Sequence, residues 1–352
     1  MSTHFRFAPA LLTWFDQHGR KDLPWQHPRT PYAVWVSEVM LQQTQVKTVL
    51  KYFPRFTQTF ADVRQLAQAP LDEVLHLWTG LGYYSRARNL HKAAQIICDT
   101  YQGEIPADNL QALQSLPGIG RSTAGAIKAI STGQHAVILD ANVKRVLTRF
   151  HALAGWPGQA QIEKQLWEYA AMHTPHQRLP EYTQAMMDLG ATLCTSRKPA
   201  CPDCPLQSQC QAYAQGLTKQ LPTPKPKKTL PERQAYGIQI VNATQEVLLL
   251  QRPNTGIWGG LWSLPEFATL EAAQAWLHTQ GLASSELSQV AHIRHTFTHF
   301  RLHLSVYRCQ IHARHLQVQD ASDQLWYAPT AGNKIGLPTP IKNFLATCPT
   351  LI

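Results

Sequence analysis

Apolar residues recur at helical spacing across the first half of the chain. Leu11, Leu12, Trp14 and Phe15 predict a first helix, followed by an ordered turn at Leu23-Pro24-Trp25-Gln26. Pro31 opens the next helix, with Tyr32, Trp35, Val36, Val39 and Met40 on one stripe and Glu38, Gln42 and Gln45 off it. A helix from about Leu71 ends near Gly80-Leu81-Gly82, and Tyr83-Tyr84-Ser85-Arg86 starts another. Further helices follow Gln161 and run from Glu181 to Thr192, so helical period holds from Phe5 to about residue 193.

The period then changes. Residues 218–233 contain four prolines among lysines, which predicts an extended linker that cannot continue a helix. Beyond it, Tyr236, Ile238 and Ile240 alternate, Val247 to Leu250 reads as a short buried strand, and Phe300, Leu302, Leu304 and Val306 alternate again. A helix from about Thr269 to Gln280, closed by Gly281, lies between strands. The expected plan is an all-α domain over 1–217, a linker over 218–233 and an α+β domain over 234–352.

One stretch organises the helical half. Leu116-Pro117-Gly118-Ile119-Gly120 makes a tight turn between two helical patterns (about 113–132), and after Gly133 the chain rises through Val137-Ile138-Leu139 to Asp140. Such a turn lets backbone N–H groups approach a phosphate, while Asp140 opens a helix whose apolar face is Val143, Val146, Leu147 and Phe150. A plain glycine-rich helix–helix turn followed by an aspartate N-cap would read the same way.

Charge tilts the balance. The chain of 352 residues carries a formal net charge of +10 with only 15% charged residues, a bias toward polyanions such as nucleic acid. It has neither an apolar run of about 20 residues for a membrane span nor a secretory leader pattern, so a soluble cytoplasmic protein is expected.

Four of the seven cysteines crowd into one loop, Cys194, Cys201, Cys204 and Cys210, spaced C-x6-C-x2-C-x5-C. Four thiolates can hold a tetrahedral zinc or a cubane iron–sulfur cluster, and the long first gap favours one [4Fe–4S] cluster. Arg197 and Lys198 make the loop basic. No flavin or nicotinamide motif appears, so no nucleotide cofactor is expected. Cys98, Cys309 and Cys348 read as structural.

Two carboxyls stand out. Glu38, flanked by Trp35, Val39 and Met40, would keep its proton at neutral pH if desolvated, whereas an exposed helix glutamate would not. Asp140 at a helix N-terminus would be held ionised by the dipole. A protonated and an anionic carboxyl together suit cleavage of an N-glycosidic bond.

Leu-Pro-Gly-Ile-Gly, Asp140 and the four-cysteine loop together resemble the helix-hairpin-helix DNA glycosylases of the endonuclease III type. Val36-Ser-Glu-Val-Met-Leu-Gln-Gln-Thr44, Gly80-Leu-Gly-Tyr-Tyr-Ser-Arg86 and the nudix-like second domain are similar to the MutY-type adenine DNA glycosylases within them. The resemblance covers nearly the whole chain. It implies a monofunctional glycosylase that flips out adenine mispaired with 8-oxoguanine or guanine in double-stranded DNA, acting as a monomer and nucleoid-associated if bacterial.

It places the catalytic acid on Glu38, the charge-stabilising or nucleophilic carboxylate on Asp140, its polar partner on Asn142 and the cluster ligands on the four cysteines. Gln43, Thr44, Leu81 and Tyr83 match residues that fill or flank the gap opposite the flipped base. Leu116, Pro117, Gly118, Gly120, Arg86 and Lys144 fall on the DNA side, and Trp25 and Gln26 on the base-pocket wall. Ser122 stands where some members have Tyr and strand-cleaving relatives have Lys.

A lyase needs an amine at the sugar. Ser122 cannot supply one, and Lys144 reads first as a phosphate contact. In the second domain the span after Gly259-Gly260-Leu261-Trp262 keeps only Glu266 and Glu271, too few to hold magnesium for pyrophosphate hydrolysis, and no catalytic divalent metal is expected. Phe297-Thr298-His299 matches the family's Phe-Ser-His segment, which meets the 8-oxoguanine. Two other functions remain open: a bifunctional endonuclease III-like lyase on oxidised pyrimidines, which Ser122 opposes, and a non-catalytic iron–sulfur DNA-binding protein, which would not need both Glu38 and Asp140.

Overall fold

Helix α1 (Phe7–His18) turns Phe7, Leu11, Leu12 and Phe15 into a core, as its apolar spacing predicts. The same core takes Val143, Val146, Leu147 and Phe150, together with Tyr182, Met186 and Leu189. In chain order follow α2 (Pro31–Leu41), α3 (Val46–Thr59), α4 (Val63–Gln68), α5 (Leu71–Trp78), α6 (Ser85–Tyr101), α7 (Leu110–Ser115), α8 (Arg121–Thr132), α9 (Ala141–Phe150), α10 (Ala160–His173), α11 (Leu179–Thr192) and the short α12 (Gln211–Ala214). α2 packs on α8, and α11 packs on α1, α8 and α9. α3 was not foreseen; Pro54 inside it interrupts the helical pattern that Val49, Phe53 and Phe56 otherwise keep.

The computed structural model describes residues 6–226, 229–282, 287–311, 323–328 and 334–347. The chain divides into two compact units, Met1–Gln68 with Asn89–Lys227 and Ala69–Arg88 with Lys228–Ile352. The division after Lys227 falls inside the proline-rich stretch. Residues 69–88, placed by sequence in the helical half, group instead with the second unit.

The second unit is built on a mixed sheet of β1 (Glu232–Val241), β2 (Val247–Gln251), β3 (Trp262–Ser263), β4 (Glu266–Phe267), β5 (Ser288–Thr296), β6 (Arg301–Gln310) and β7 (Gln324–Tyr327). Its main path runs β3-β2-β1-β6-β5, with β4 on β1 and β7 on β2. β1 and β6 are parallel, which requires a crossover. α13 (Leu270–Thr279), expected from about Thr269 to Gln280 and capped by Thr269, lies on that connection and packs Ala273 and Leu277 against Ile238, Ile240 and Cys309. α14 (Thr339–Thr347) follows.

Two expectations change, and one strand was not foreseen. β1 begins at Glu232, inside the stretch read as linker, because Glu232 and Arg233 already register with Arg301 and Leu302 of β6. Its residues from Gly237 to Val241 are buried on both faces, so it does not alternate as a half-exposed strand would. β5 is an edge strand with mostly exposed residues, which left no clear period in the sequence. Cys309 is buried and Cys98 half-buried, while Cys348 lies outside the described residues. Among the described residues no helix is long and apolar enough to cross a membrane.

Candidate active site

Thr30 caps α2, its hydroxyl accepting from the Ala33 N–H at 3.1 Å, and Pro31 occupies the first turn. Val34, Trp35, Val36, Ser37, Val39 and Met40 are all buried, so α2 is enclosed on almost every side rather than along one stripe. Glu38 is the half-buried carboxyl in that enclosure. Burial, reinforced by the nearby Asp140 carboxylate, pushes it from 4.5 up to about 8.

Asn109 caps α7 by accepting from the N–H groups of Gln111 and Ala112, and the turn to α8 follows. Gly118 sits there at φ +80°, where a Cβ would lie 2.9 Å from the Asn89 Cβ. Gly120 is the N-cap of α8 and offers no side-chain acceptor, so no side chain caps the first turn of α8, a geometry that suits an anion. Leu116 is buried and anchors the turn from inside, with Pro117 at its corner.

α8 also sets the path to Asp140. Ser122 Oγ accepts the Leu139 N–H at 2.9 Å. A Cβ on Gly125, one turn later, would lie 2.3 Å from the Val137 carbonyl oxygen, so only glycine lets the Val137–Leu139 run press this closely on the helix. Sequence reasoning missed Gly125.

Asp140 then caps α9, Oδ1 accepting from the Val143 N–H at 2.8 Å and Oδ2 from Asn142 Nδ2 at 3.1 Å. Asn142 Oδ1 in turn accepts from Arg145 Nη2 at 2.8 Å, and Arg145 Nε donates to the Cys194 carbonyl at 2.7 Å. A Cβ on Gly190 would lie 2.6 Å from the Asn142 Cβ, so that glycine of α11 makes room for this arrangement. Burial raises the Asp140 carboxyl, opposed by the Val143 and Asn142 hydrogen bonds and by Arg145. The expectation that the helix terminus alone sets its ionisation is therefore corrected, since burial outweighs the local donors.

Trp25 and Gln26 are both buried. The Trp25 ring stands edge-on to Phe53 at 5.4 Å. Gln26 spends its amide on the backbone, accepting from Leu23 N–H at 3.0 Å and donating to the Arg20 carbonyl at 2.9 Å. Gln43, exposed at φ +56°, and Thr44 form the turn that leaves α2. Lys144 Nζ pairs with Glu163 at 2.7 Å.

In the second unit Leu81 is buried and Tyr83 is 45% exposed at φ +49°. Arg86, expected on the DNA side, is instead buried. Its Nη2 donates to the carbonyls of Leu81 at 3.3 Å and Gly82 at 3.1 Å, and burial lowers its pKa to about 10. It braces the loop from within. Phe297, Thr298 and His299 sit at the tip of the β5–β6 hairpin, closed by the Phe297 N–H on the Phe300 carbonyl at 2.9 Å. Tyr83 and this tip line one cavity of about 610 Å3, with Arg88, Arg233, Trp258 and His295.

The four cysteines line one recess of the first unit together with Leu189, Leu193 and Leu206. Buried Arg149 of α9 reaches into the loop, its Nη1 3.3 Å from Cys194 Sγ and 2.7 Å from the Thr195 carbonyl, its Nη2 3.0 Å from the Ser196 carbonyl. Among the described residues no three His, Cys, Asp or Glu side chains are grouped to hold a metal ion. The four cysteines that line the recess, with a guanidinium beside the Cys194 sulfur, are the residue types an iron–sulfur cubane takes as donors.

Residues 36–172 match the HhH-GPD superfamily of base excision DNA repair proteins, and residues 236–347 match the NUDIX domain. The adenine DNA glycosylase of Buchnera aphidicola (strain APS) is 38% identical over 97% of this chain and 97% of its own length. That of Rattus norvegicus is 36% identical over 86% of this chain and 70% of its own. A thermostable thymine-DNA glycosylase aligns over 59% of this chain and 95% of its own with 29% identity and a TM-score of 0.52. An endonuclease III solved in a non-covalent DNA complex shares the fold at a TM-score of 0.51 and 24% identity, over 60% of this chain and 94% of its own.

Proposed function

The chain belongs to the adenine DNA glycosylases of the HhH-GPD superfamily, an N-glycosyl hydrolase acting on DNA, and from that premise we propose that it excises adenine paired with 8-oxoguanine or guanine. The adenine leaves the stack before it reacts, because its glycosidic bond cannot be reached inside a duplex. Protonated Glu38 gives its proton to a ring nitrogen of the base. The C1′–N9 electrons leave with the adenine, and the cationic sugar is stabilised by the Asp140 carboxylate until water adds at C1′.

The observation that carries this reading is the pairing of two half-buried carboxyls. Glu38 is pushed up to about 8 with Asp140 as one cause, while Asp140 accepts from Val143 and Asn142. Glu38 keeps a proton at neutral pH; Asp140, whose carboxyl burial also raises, has the Val143 and Asn142 donors and Arg145 acting in favour of its anion.

The same chemistry argues against a lyase. Ser122 is engaged with the Leu139 N–H and Lys144 with Glu163, so no free amine is offered from these positions. Cys194, Cys201, Cys204 and Cys210 would hold one [4Fe–4S] cluster, which supplies a cross-link and charge to a loop with little apolar core. The helix-hairpin-helix turn at Leu116–Gly120 would grip the phosphate backbone, and Phe297, Thr298 and His299 would read the base opposite the adenine. We assign the protein to chromosomal DNA in the cytoplasm, acting as a monomer.

The test is base release from a duplex carrying adenine opposite 8-oxoguanine. Adenine should be freed and the abasic strand should remain intact until alkali cuts it. Strand cleavage keeping pace with base release would favour the lyase, and no release would leave a DNA-binding protein.

A further inference from the structure

The loop that presents Tyr83 is held by the unit that carries Thr298. Asp72, in the first turn of α5, accepts from Trp262 Nε1 and from Gln251 Nε2, each at 3.2 Å. Beyond the loop, the Tyr84 hydroxyl donates to the Leu337 carbonyl at 3.0 Å, and Arg88 Nη1 to the Gly259 carbonyl at 2.6 Å. Leu75 is fully buried between these anchors. A Cβ on Gly336 would lie 2.6 Å from the Leu75 Cβ, so the backbone there is bare where α5 approaches. The Gly259–Trp262 turn, expected to lead into metal-holding carboxylates in a nudix hydrolase, is thus a socket for α5. Glu266 is tied to Arg252 at 2.9 Å.

The loop needs that support. Tyr83 takes a positive φ of 49°, a left-handed backbone that a non-glycine residue keeps only when its surroundings fix it. It follows two glycines, Gly80 and Gly82, that adopt φ of 106° and 73° freely and so do not stiffen the loop themselves. α5 has eight residues, too few to be stable as a helix alone, so tertiary contacts decide where it sits. A half-buried carboxylate accepting two side-chain N–H groups is a polar anchor for it, beside the Glu73–Lys334 pair at 3.5 Å and the His76 contact with the Ile335 carbonyl at 3.2 Å.

We propose that Asp72 is a specificity-determining positioning residue: by fastening α5 to Trp262 and Gln251 it fixes the loop that brings Tyr83 to the cavity Thr298 also lines. This rests on the lesion-reading role given above to Thr298. Glu38 and Asp140 lie in the other unit, so loosening the anchor should cost discrimination rather than chemistry.

Asp72→Asn keeps the volume but turns an amide N–H toward one of the two donors, and Trp262→Phe removes the indole donor itself. In full-length protein each should lower single-turnover adenine release opposite 8-oxoguanine about tenfold, the scale of a lost hydrogen bond to a charged group, and leave release opposite guanine within about twofold. Amide exchange over residues 80–86 should accelerate while residues 116–120 stay protected, a readout that general destabilisation would not confine to one loop. The double variant should be no worse than the more severe single, because both break the same contact.

Unchanged exchange over 80–86 in both variants overturns the anchoring, whatever the substrate. Faster exchange with an undiminished preference for 8-oxoguanine overturns the specificity role and leaves the proposed function standing. A wild-type protein with no such preference would instead remove the lesion-reading assignment on which the proposal rests.

Discussion

Ser122 Oγ accepts the Leu139 N–H at 2.9 Å, one residue before the carboxylate assigned to the sugar cation. At a position where strand-cleaving relatives carry an amine, this chain has a hydroxyl that fixes the backbone leading to Asp140. Ser122→Ala would leave the N–H of buried Leu139 without this acceptor, at a cost on the order of 1 kcal/mol in stability. Adenine release should slow several-fold because Asp140 loses its register, while DNA affinity stays near wild type. Thermal unfolding and single-turnover rates check this. A variant as active as wild type would show that the Gly125 contact alone holds the segment.

Glu38 makes activity and stability respond to pH in linked ways. Its folded pKa, about 8, lies above its ordinary 4.5, so the folded state keeps a proton that the unfolded chain releases between those values. The stabilising contribution is complete below about 4.5 and is lost as pH rises through about 8. Glu38→Gln removes that loss. It should match wild type in melting temperature at acid pH and exceed it by a margin that grows from about pH 4.5 to about pH 8 and is constant above. Adenine release by wild type should fall as pH passes about 8, and the Gln variant should release none while still binding the mispair. Parallel melting curves with pH for the two proteins would mean that the carboxyl is solvated and cannot serve as the acid.

The cysteine loop depends on Arg149. Its guanidinium donates to the carbonyls of Leu221, Thr195 and Ser196 and lies 3.3 Å from Cys194 Sγ. Lysine cannot span those acceptors from one ammonium. Arg149→Lys should therefore destabilise the fold by roughly 3 kcal/mol or more and lower the iron bound per chain. Wild-type protein prepared without oxygen should be yellow-brown. Stoichiometric zinc and no iron on metal analysis would remove the cluster assignment.

What could be seen in the sequence was local chemistry. The Leu116–Gly120 turn, the Asp140 cap and the cysteine spacing each depend on neighbours a few residues away, so their residue types disclose them. What stayed hidden depends on distant partners. Glu38 looked like a residue on an outward face because nothing local says that α2 is enclosed all round. Gly125 and Gly190 matter only for the backbone and side chain that touch them, Val137 and Asn142. Arg86 was expected on the DNA side because its charge is visible in sequence and its burial is not. The attachment of residues 69–88 to the second unit could not be read from a linear pattern, since the partners of Asp72, Gln251 on β2 and Trp262 on β3, lie 179 and 190 residues away.

Thr298 gives the most direct test of how the opposite base is read. It stands exposed at the tip of the β5–β6 hairpin, on a cavity it shares with Tyr83 and Phe297. Phe297 stacks on buried Phe300 at 4.8 Å, which steadies the tip without using the Thr298 hydroxyl. 8-Oxoguanine differs from guanine by an N7 hydrogen and an O8 oxygen, so a hydroxyl at that edge can accept the first or donate to the second. Thr298→Ala should cost on the order of 1 kcal/mol for the 8-oxoguanine mispair and little for the guanine mispair. Thr298→Ser keeps the hydroxyl and should be nearly neutral on both. Removing all residues from 234 onward is a blunter probe, because it also strips Asp72 and Tyr84 of their partners. Affinities and single-turnover rates of the two point variants on both mispairs decide the matter. If Thr298→Ala discriminates as well as wild type, the hydroxyl is not what reads the lesion, and the role passes to another group on the cavity wall.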